Sequence, residues 1–375
     1  MAGQKKTGLI LTGGGARAAY QVGVLKAVNE LLGRPTRNPF PILCGTSAGA
    51  INAVALAIHA HNFALGVRGL LGVWENFHAR QVYRADAWGI IRTGARWLSA
   101  LMLLNRSNPV SLLDNSPLRE LLTHTLDFPR IQENIDSGTL FAVSITASGY
   151  TSGQSVSFYQ GGPEAVEWER MQRVGAATPI DVDILMASSA LPFIFPAVKV
   201  HREYFGDGSM RQIAPISPAL HLGADRVLII GTGRQSAETR VRSSLYPSLA
   251  QIAGHALNSI FLDSLNVDIE RLQRINRTVS LIPAERLREA GLPLRPIEVL
   301  VISPSEPIER IASRHLYDVP RAVRYLLRAV GAMNRNGSNL ASYLLFEGGF
   351  TRAIIKLGYD DAMARADQVR AFLAD

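Results

Sequence analysis

Cysteine is almost missing from this chain: Cys44 is the single thiol in 375 residues. That excludes an internal disulfide framework and fits a reducing compartment. No run of 18 or more apolar residues is present either, so no membrane-crossing helix is expected and any membrane contact would be peripheral. Residues 1–6 are polar and basic, but the apolar run behind them, residues 9–11, stops at three glycines and is too short for a secretory core. A cytoplasmic location is therefore expected, with the inner face of the membrane as a possible station. The sequence also lacks metal-ligand spacings, having no His-x-x-x-His pair and no calcium-loop pattern, so no metal is expected. Basic residues are dispersed rather than clustered with aromatics, and no nucleic-acid reader motif occurs, so nucleic acid is not an expected partner. Acidic residues run short, 31 against 39 Lys and Arg, for a net charge of +8 that suits a polyanionic surface.

What is abundant is apolar material, 47% of the chain, enough for a large core in one big domain or one domain with an extension. Residues 7–12 read as a buried strand, 13–15 as a glycine loop, and 16–32 as a helix with Tyr20, Val24, Ala27, Val28 and Leu31 on one face. A second strand at 41–44 and a second helix at 48–60 follow. This order of strand, loop, helix, strand, turn and helix points to a parallel sheet covered by helices. Residues 63–123 look helical and irregular. Strand patterns return at 140–147, 156–159, 198–205 and 226–231, with helix patterns at 184–190 and 215–222. Beyond residue 236 the chain reads as mostly helical, with one further strand candidate at 298–302.

Gly13-Gly14-Gly15-Ala16-Arg17-Ala18 satisfies the G-x-G-x-x-A dinucleotide fingerprint between a strand and a helix. That reading also needs an acidic residue at the end of the second strand, which ends instead Leu43-Cys44-Gly45-Thr46. A glycine loop at a helix N-terminus has another use: its bare amides can hold an anion, including the oxyanion of an ester under attack. A tight turn without a ligand is the remaining reading. Gly45-Thr46-Ser47-Ala48-Gly49 fits G-x-S-x-G, in which small neighbours let the backbone lift a serine out of a strand-to-helix turn. A serine nucleophile needs a base. An order of Ser47, Asp207 and then His255 or His315 is formally available, but an ordinary α/β-hydrolase places several strands before its elbow and this chain has one. Asp207, between Gly206 and Gly208 at a strand end, is the better base, although a plain aspartate turn would have the same sequence.

Together these segments resemble the patatin-like phospholipase family of lipid acyl hydrolases. The resemblance rests on Gly13-Gly14-Gly15-Ala16-Arg17, Gly45-Thr46-Ser47-Ala48-Gly49, Asp207-Gly208, and the segment just before the aspartate, Ala187-Ser188-Ser189-Ala190-Leu191-Pro192-Phe193-Ile194-Phe195-Pro196. It covers roughly residues 8–233, and Ser342-Tyr343-Leu344-Leu345-Phe346 and Leu357-Gly358-Tyr359 look like bacterial members. What the resemblance implies is a three-layer α/β sandwich with a mainly parallel central sheet over residues 8–233. A mostly helical C-terminal extension, 234–375, would pack on the same unit. It further implies a Ser-Asp dyad without histidine or cofactor: Ser47 as nucleophile, Asp207 as base, and the loop of Gly13, Gly14, Gly15, Ala16 and Arg17 as oxyanion hole. Ala18 and Ser209 stand where the family usually has glycine and Gly or Ala. Ser209, after Gly208, can donate a hydrogen bond to Asp207 and weaken it as a base.

The expected substrate is a phospholipid or related lipid ester. An unperturbed carboxylate near 3.9 is a poor base for serine, so Asp207 is expected to be desolvated when substrate covers it. Residues 86–106, with Trp88, Ile91, Leu98 and Met102 near one face, suit an interfacial helix, a cap on an acyl groove or a core helix. Arg321, Arg324 and Arg328 share a face opposite Val323, Leu326, Leu327 and Val330, compatible with anionic headgroups. Two other readings stay open: a carboxylesterase on soluble short-chain esters, and a membrane-associated scaffold with an unproductive dyad.

Overall fold

The computed structural model describes residues 5–84, 111–234, 248–291, 294–329, 331–333 and 338–374. The stretch 86–106 lies outside these residues. Among the described residues ten strands form one sheet, numbered in chain order. Five of them lie side by side and parallel: β10 (Glu298–Ile302), β9 (Arg226–Ile230), β1 (Thr7–Leu11), β2 (Ile42–Thr46) and β3 (Ala142–Gly149). Beyond β3 the sheet becomes mixed. β4 (Ser155–Gly161) runs antiparallel to β3 and parallel to β6 (Arg173–Ala177), which hairpins with β5 (Trp168–Arg170).

Alternation along the parallel strands divides the interior into two cores. Leu9, Leu11, Leu43, Leu228 and Ile230 face one side, where α1 (Ala19–Leu31), α2 (Ala48–Ile58), α3 (Phe63–Glu75), α4 (Ser116–Thr125), α5 (Pro129–Asp136) and α6 (Val182–Ser188) contribute. Ile10, Ile42, Cys44, Val227 and Ile229 face the other. There they meet Ala219 of α7 (Ser217–His221) and, after α8 (Leu249–Asn258), Leu265, Ile269 and Leu272 of α9 (Ser264–Val279). Helices on both faces of a mainly parallel sheet make the three-layer α/β architecture.

Later helices are α10 (Ala284–Glu289), α11 (Ile308–His315), α12 (Arg321–Ala329), α13 (Ser338–Leu344), α14 (Gly348–Met363) and α15 (Ala366–Leu373). α14 joins the first core through Phe350, Ile354 and Ile355. It crosses α1 backbone to backbone: a Cβ on Gly23 would lie 1.9 Å from the Ile355 carbonyl oxygen, and one on Gly358 2.1 Å from that of Tyr20. Among the described residues no helix is long and apolar enough to cross a membrane.

Three local expectations change. The helix expected from residue 16 opens as a 3-10 turn, Gly15–Ala18, before α1. The strand expected over 198–205 is a hairpin of β7 (Val198–Val200) and β8 (Glu203–Asp207), turned by His201 at φ 52°. β5 and β6 were not expected at all.

Candidate active site

β2 ends at Thr46, paired with Thr146 of β3. Ser47 then leaves the sheet with φ 56° and ψ −130°, and α2 begins at Ala48. Such a conformation costs a non-glycine residue about 1–3 kcal/mol and persists where surrounding structure enforces it. β4 occupies one edge of β3. The edge that β2 vacates is taken by β8 running the other way, with Ser148 opposite Gly206 and Ala147 opposite Asp207. The two strand ends meet head to head beside β3, which brings Ser47 and Asp207 face to face. Bare backbone makes room for this: a Cβ on Gly49 would lie 2.3 Å from the Leu11 carbonyl oxygen, and one on Gly208 2.0 Å from that of Thr146. Gly45 is similarly tight, its Cβ position 2.5 Å from Ala50 Cα.

Ser188 braces the strained serine. Its Oγ accepts from the Ser47 amide at 2.8 Å and donates to the Thr146 carbonyl at 2.7 Å. Sequence reasoning placed Ser188 only within a resembling segment and gave it no role; a hydroxyl in an apolar helix carries no local sign of its partner.

Asp207 is 0% exposed. Burial pushes its carboxyl pKa up to about 6, opposed by the Ser47 hydroxyl, the Ser209 amide and, least, the Ser209 hydroxyl. The Ser209 amide donates to Oδ1 at 2.9 Å. Oδ2 and Ser209 Oγ are buried without a formed hydrogen bond, and the Ser47 hydroxyl stands near enough to the carboxylate to oppose its shift. The desolvation expected from a covering substrate is thus already built into the fold.

In the glycine loop, the Arg17 amide is used within the turn, donating to the Gly14 carbonyl at 3.1 Å. Thr232 Oγ1 holds the Gly13 carbonyl at 2.6 Å, and a Cβ on Gly13 would lie 2.4 Å from Ser209 Oγ. Among the described residues the Gly14 and Gly15 amides donate to no protein acceptor. Ala16 and Arg17 are buried, and the Arg17 guanidinium is taken up by residues of the C-terminal part of the chain.

Gly15 and Ser47 border a cavity of about 170 Å³. Apart from Ser47, Ser189, Thr125 and His59 its walls are apolar, from Ile51 of α2, Leu70 and Trp74 of α3, Leu122 of α4, and Phe346. None of these wall residues was singled out from sequence as functional, because segments far apart in the chain supply them.

His255 and His315, the formally available triad histidines, do not line this cavity, whereas His59 does. His255 is exposed, His315 pairs with Asp318 at 2.8 Å, and His59 Nδ1 is 2.9 Å from the Ala55 carbonyl. Cys44 is buried, with its thiol pushed up to about 12 by desolvation, and is no rival nucleophile. Among the described residues no three His, Cys, Asp or Glu side chains group as metal ligands.

A family model for patatin-like phospholipases matches residues 9–220, and the chain belongs to that family. It is 28% identical over 247 residues to a cGAMP-activated phospholipase of Pseudomonas aeruginosa, covering 63% of this chain and 65% of that protein. Over 50 residues, 13% of this chain and 16% of the relative, it is 46% identical to a cUMP-AMP-activated phospholipase of Escherichia coli. The chain therefore spans less than two thirds of the length of these curated relatives. Among solved structures, VipD from Legionella pneumophila aligns with 97% of this chain and 67% of its own, at 13% identity and a TM-score of 0.41.

Proposed function

We propose that this chain is a serine acyl hydrolase that releases fatty acids from phospholipids or related lipid esters. The observation that carries the reading is a strained, braced serine on the wall of an apolar cavity, with a buried carboxylate beside it. Ser47 Oγ attacks the ester carbonyl carbon while Asp207 Oδ2 takes the hydroxyl proton. Charge developing on the carbonyl oxygen falls to the free amides of Gly14 and Gly15, in the turn shaped by Gly13, Ala16 and Arg17. Collapse expels the alcohol oxygen, which receives the proton from Asp207 and leaves the acyl group on Ser47. Asp207 then deprotonates a water that attacks the acyl carbon, and collapse breaks the bond to Ser47 Oγ, which takes the proton back from Asp207 as the fatty acid departs. The acyl chain lies in the cavity, where each buried methylene contributes about 0.8 kcal/mol.

Residues 8–233 form the catalytic unit in this reading, and 234–375 an extension packed on it. The enzyme works peripherally at an anionic membrane surface, at the inner face, with exposed Arg321 and Arg328 toward headgroups, while half-buried Arg324 donates to the Tyr317 and Val319 carbonyls.

The test is fatty-acid release from phosphatidylglycerol and phosphatidylethanolamine vesicles beside a soluble short-chain nitrophenyl ester, with and without cGAMP because a relative is named for activation by it. Faster turnover of vesicle lipid is expected. Hydrolysis of the soluble ester alone favours the carboxylesterase, and inactivity on both under every condition leaves the scaffold.

A further inference from the structure

The loop that borders Ser47 rests on a part of the chain beyond the family match. Gly15, at φ 54°, lies so close to α13 that a Cβ there would sit 2.3 Å from the Tyr343 carbonyl oxygen. Two residues on, Arg17 is 1% exposed and its guanidinium is divided among C-terminal groups. Nε donates to Ser342 Oγ at 2.7 Å and Nη1 to Asn258 Oδ1 at 3.4 Å. Nη2 donates to the Asn339 side chain and, at 3.4 Å, to the Asn339 carbonyl. The Tyr343 ring lies 4.1 Å from the guanidinium carbon, and the only counter-charge within ion-pair reach among the described residues is Glu309, at 4.0 Å.

The acceptors are themselves tied together. Ser342 Oγ donates to the Asn339 carbonyl at 2.6 Å, and Tyr343 Oη donates to Asn258 Oδ1 at 2.7 Å. Phe261, in the π-helical turn Ser259–Asp263, stacks on Tyr343 at 5.2 Å and packs on Gly13. Three elements of the extension, α8, α11 and α13, thus converge on one side chain of the glycine loop.

Burying a guanidinium is costly, and apolar side chains of the same volume would close the space at no such cost. What the guanidinium adds is direction: a planar fork fixed by several acceptors orients the main chain that carries it. The Arg17 amide closes the same turn onto the Gly14 carbonyl, so the side chain sets the plane of the Gly14–Gly15 peptide. We infer that Arg17 is a positioning residue: through it the C-terminal helices hold the Gly14 and Gly15 amides in line with the oxygen of a substrate on Ser47. This rests on the acyl-hydrolase reading above and makes the extension part of the catalytic apparatus.

The test is the steady-state kinetics of Arg17→Ala, Arg17→Lys, Ser342→Ala and the Arg17→Ala/Ser342→Ala double variant, with thermal melting of each and Ser47→Ala as reference. Losing an aligned oxyanion donor lowers kcat by about 10²-fold. Arg17→Ala is therefore expected to lose about that much kcat with KM within about twofold. Arg17→Lys and Ser342→Ala should each lose about tenfold, and the double variant should be no slower than Arg17→Ala, since both changes break one link. Millimolar guanidinium should restore part of the kcat of Arg17→Ala and none in Ser47→Ala. Wild-type kcat in Arg17→Ala, multiplicative losses in the double variant, or losses matching the fraction unfolded would overturn the inference. Should Arg17→Ala not fold, wild-type kcat in both Arg17→Lys and Ser342→Ala overturns it equally. A wild-type protein without hydrolysis, whose Ser47 resists a fluorophosphonate, sinks the parent reading instead.

Discussion

Asp207 offers the sharpest check on how the site works. Its carboxyl moves from 3.8 to about 6 because folding strips it of water, a change equivalent to about 3 kcal/mol. Between those two values the folded protein holds a proton that the unfolded chain has released. Stability therefore falls as pH rises through this window and levels off above about 6. A carboxamide in its place cannot ionise, so Asp207→Asn should gain on wild type as pH is raised from 4 to 7, by up to about 3 kcal/mol in unfolding free energy. Catalysis needs the opposite state: kcat/KM should rise with pH along an acid limb near 6, where the base ionises. Denaturant unfolding of both proteins from pH 4 to 8, beside a pH-rate profile of wild type, reads both effects. An acid limb at or below about 4, with a stability gap that does not move with pH, would refute the desolvation argument.

Other consequences can be measured on the same preparations. Ser188→Ala strands the Ser47 amide and the Thr146 carbonyl in the interior, so it should cost about 1–3 kcal/mol of stability by denaturant unfolding and lower kcat as well. Ala55→Phe, projecting into the cavity from α2, should shift preference toward shorter acyl chains in a nitrophenyl-ester series and leave the two-carbon ester within about twofold, each excluded methylene removing about 0.8 kcal/mol. Arg321→Glu with Arg328→Glu should weaken co-sedimentation with anionic vesicles, at about 1 kcal/mol for each arginine lost, and blunt its salt dependence; retention unaffected by lipid charge or salt would count against the membrane role.

Much of the part that the family model matches was legible because its constraints are local. The glycine loop, the G-x-S-x-G turn and the strand ending in Asp207 are short runs whose residue types match the backbone they must adopt, and apolar runs such as residues 226–230 announced strands buried on both faces. Long-range partnerships were not legible. Nothing near Arg17 shows that its guanidinium ends among Asn258, Asn339 and Ser342, and the cavity walls come from segments far apart in the chain. The turn at His201 was invisible because a non-glycine residue carries its positive φ. The β5 and β6 hairpin was hidden by short strands whose outer residues are exposed.

The central claim is that Ser47 and Asp207 act together on lipid esters. Its most direct test is fatty-acid release from phosphatidylglycerol vesicles by wild type, Ser47→Ala and Asp207→Asn, each shown to be folded by thermal melting. Release by wild type is predicted, with a loss of at least about 10³-fold in both variants. Release by Ser47→Ala within tenfold of wild type would contradict it.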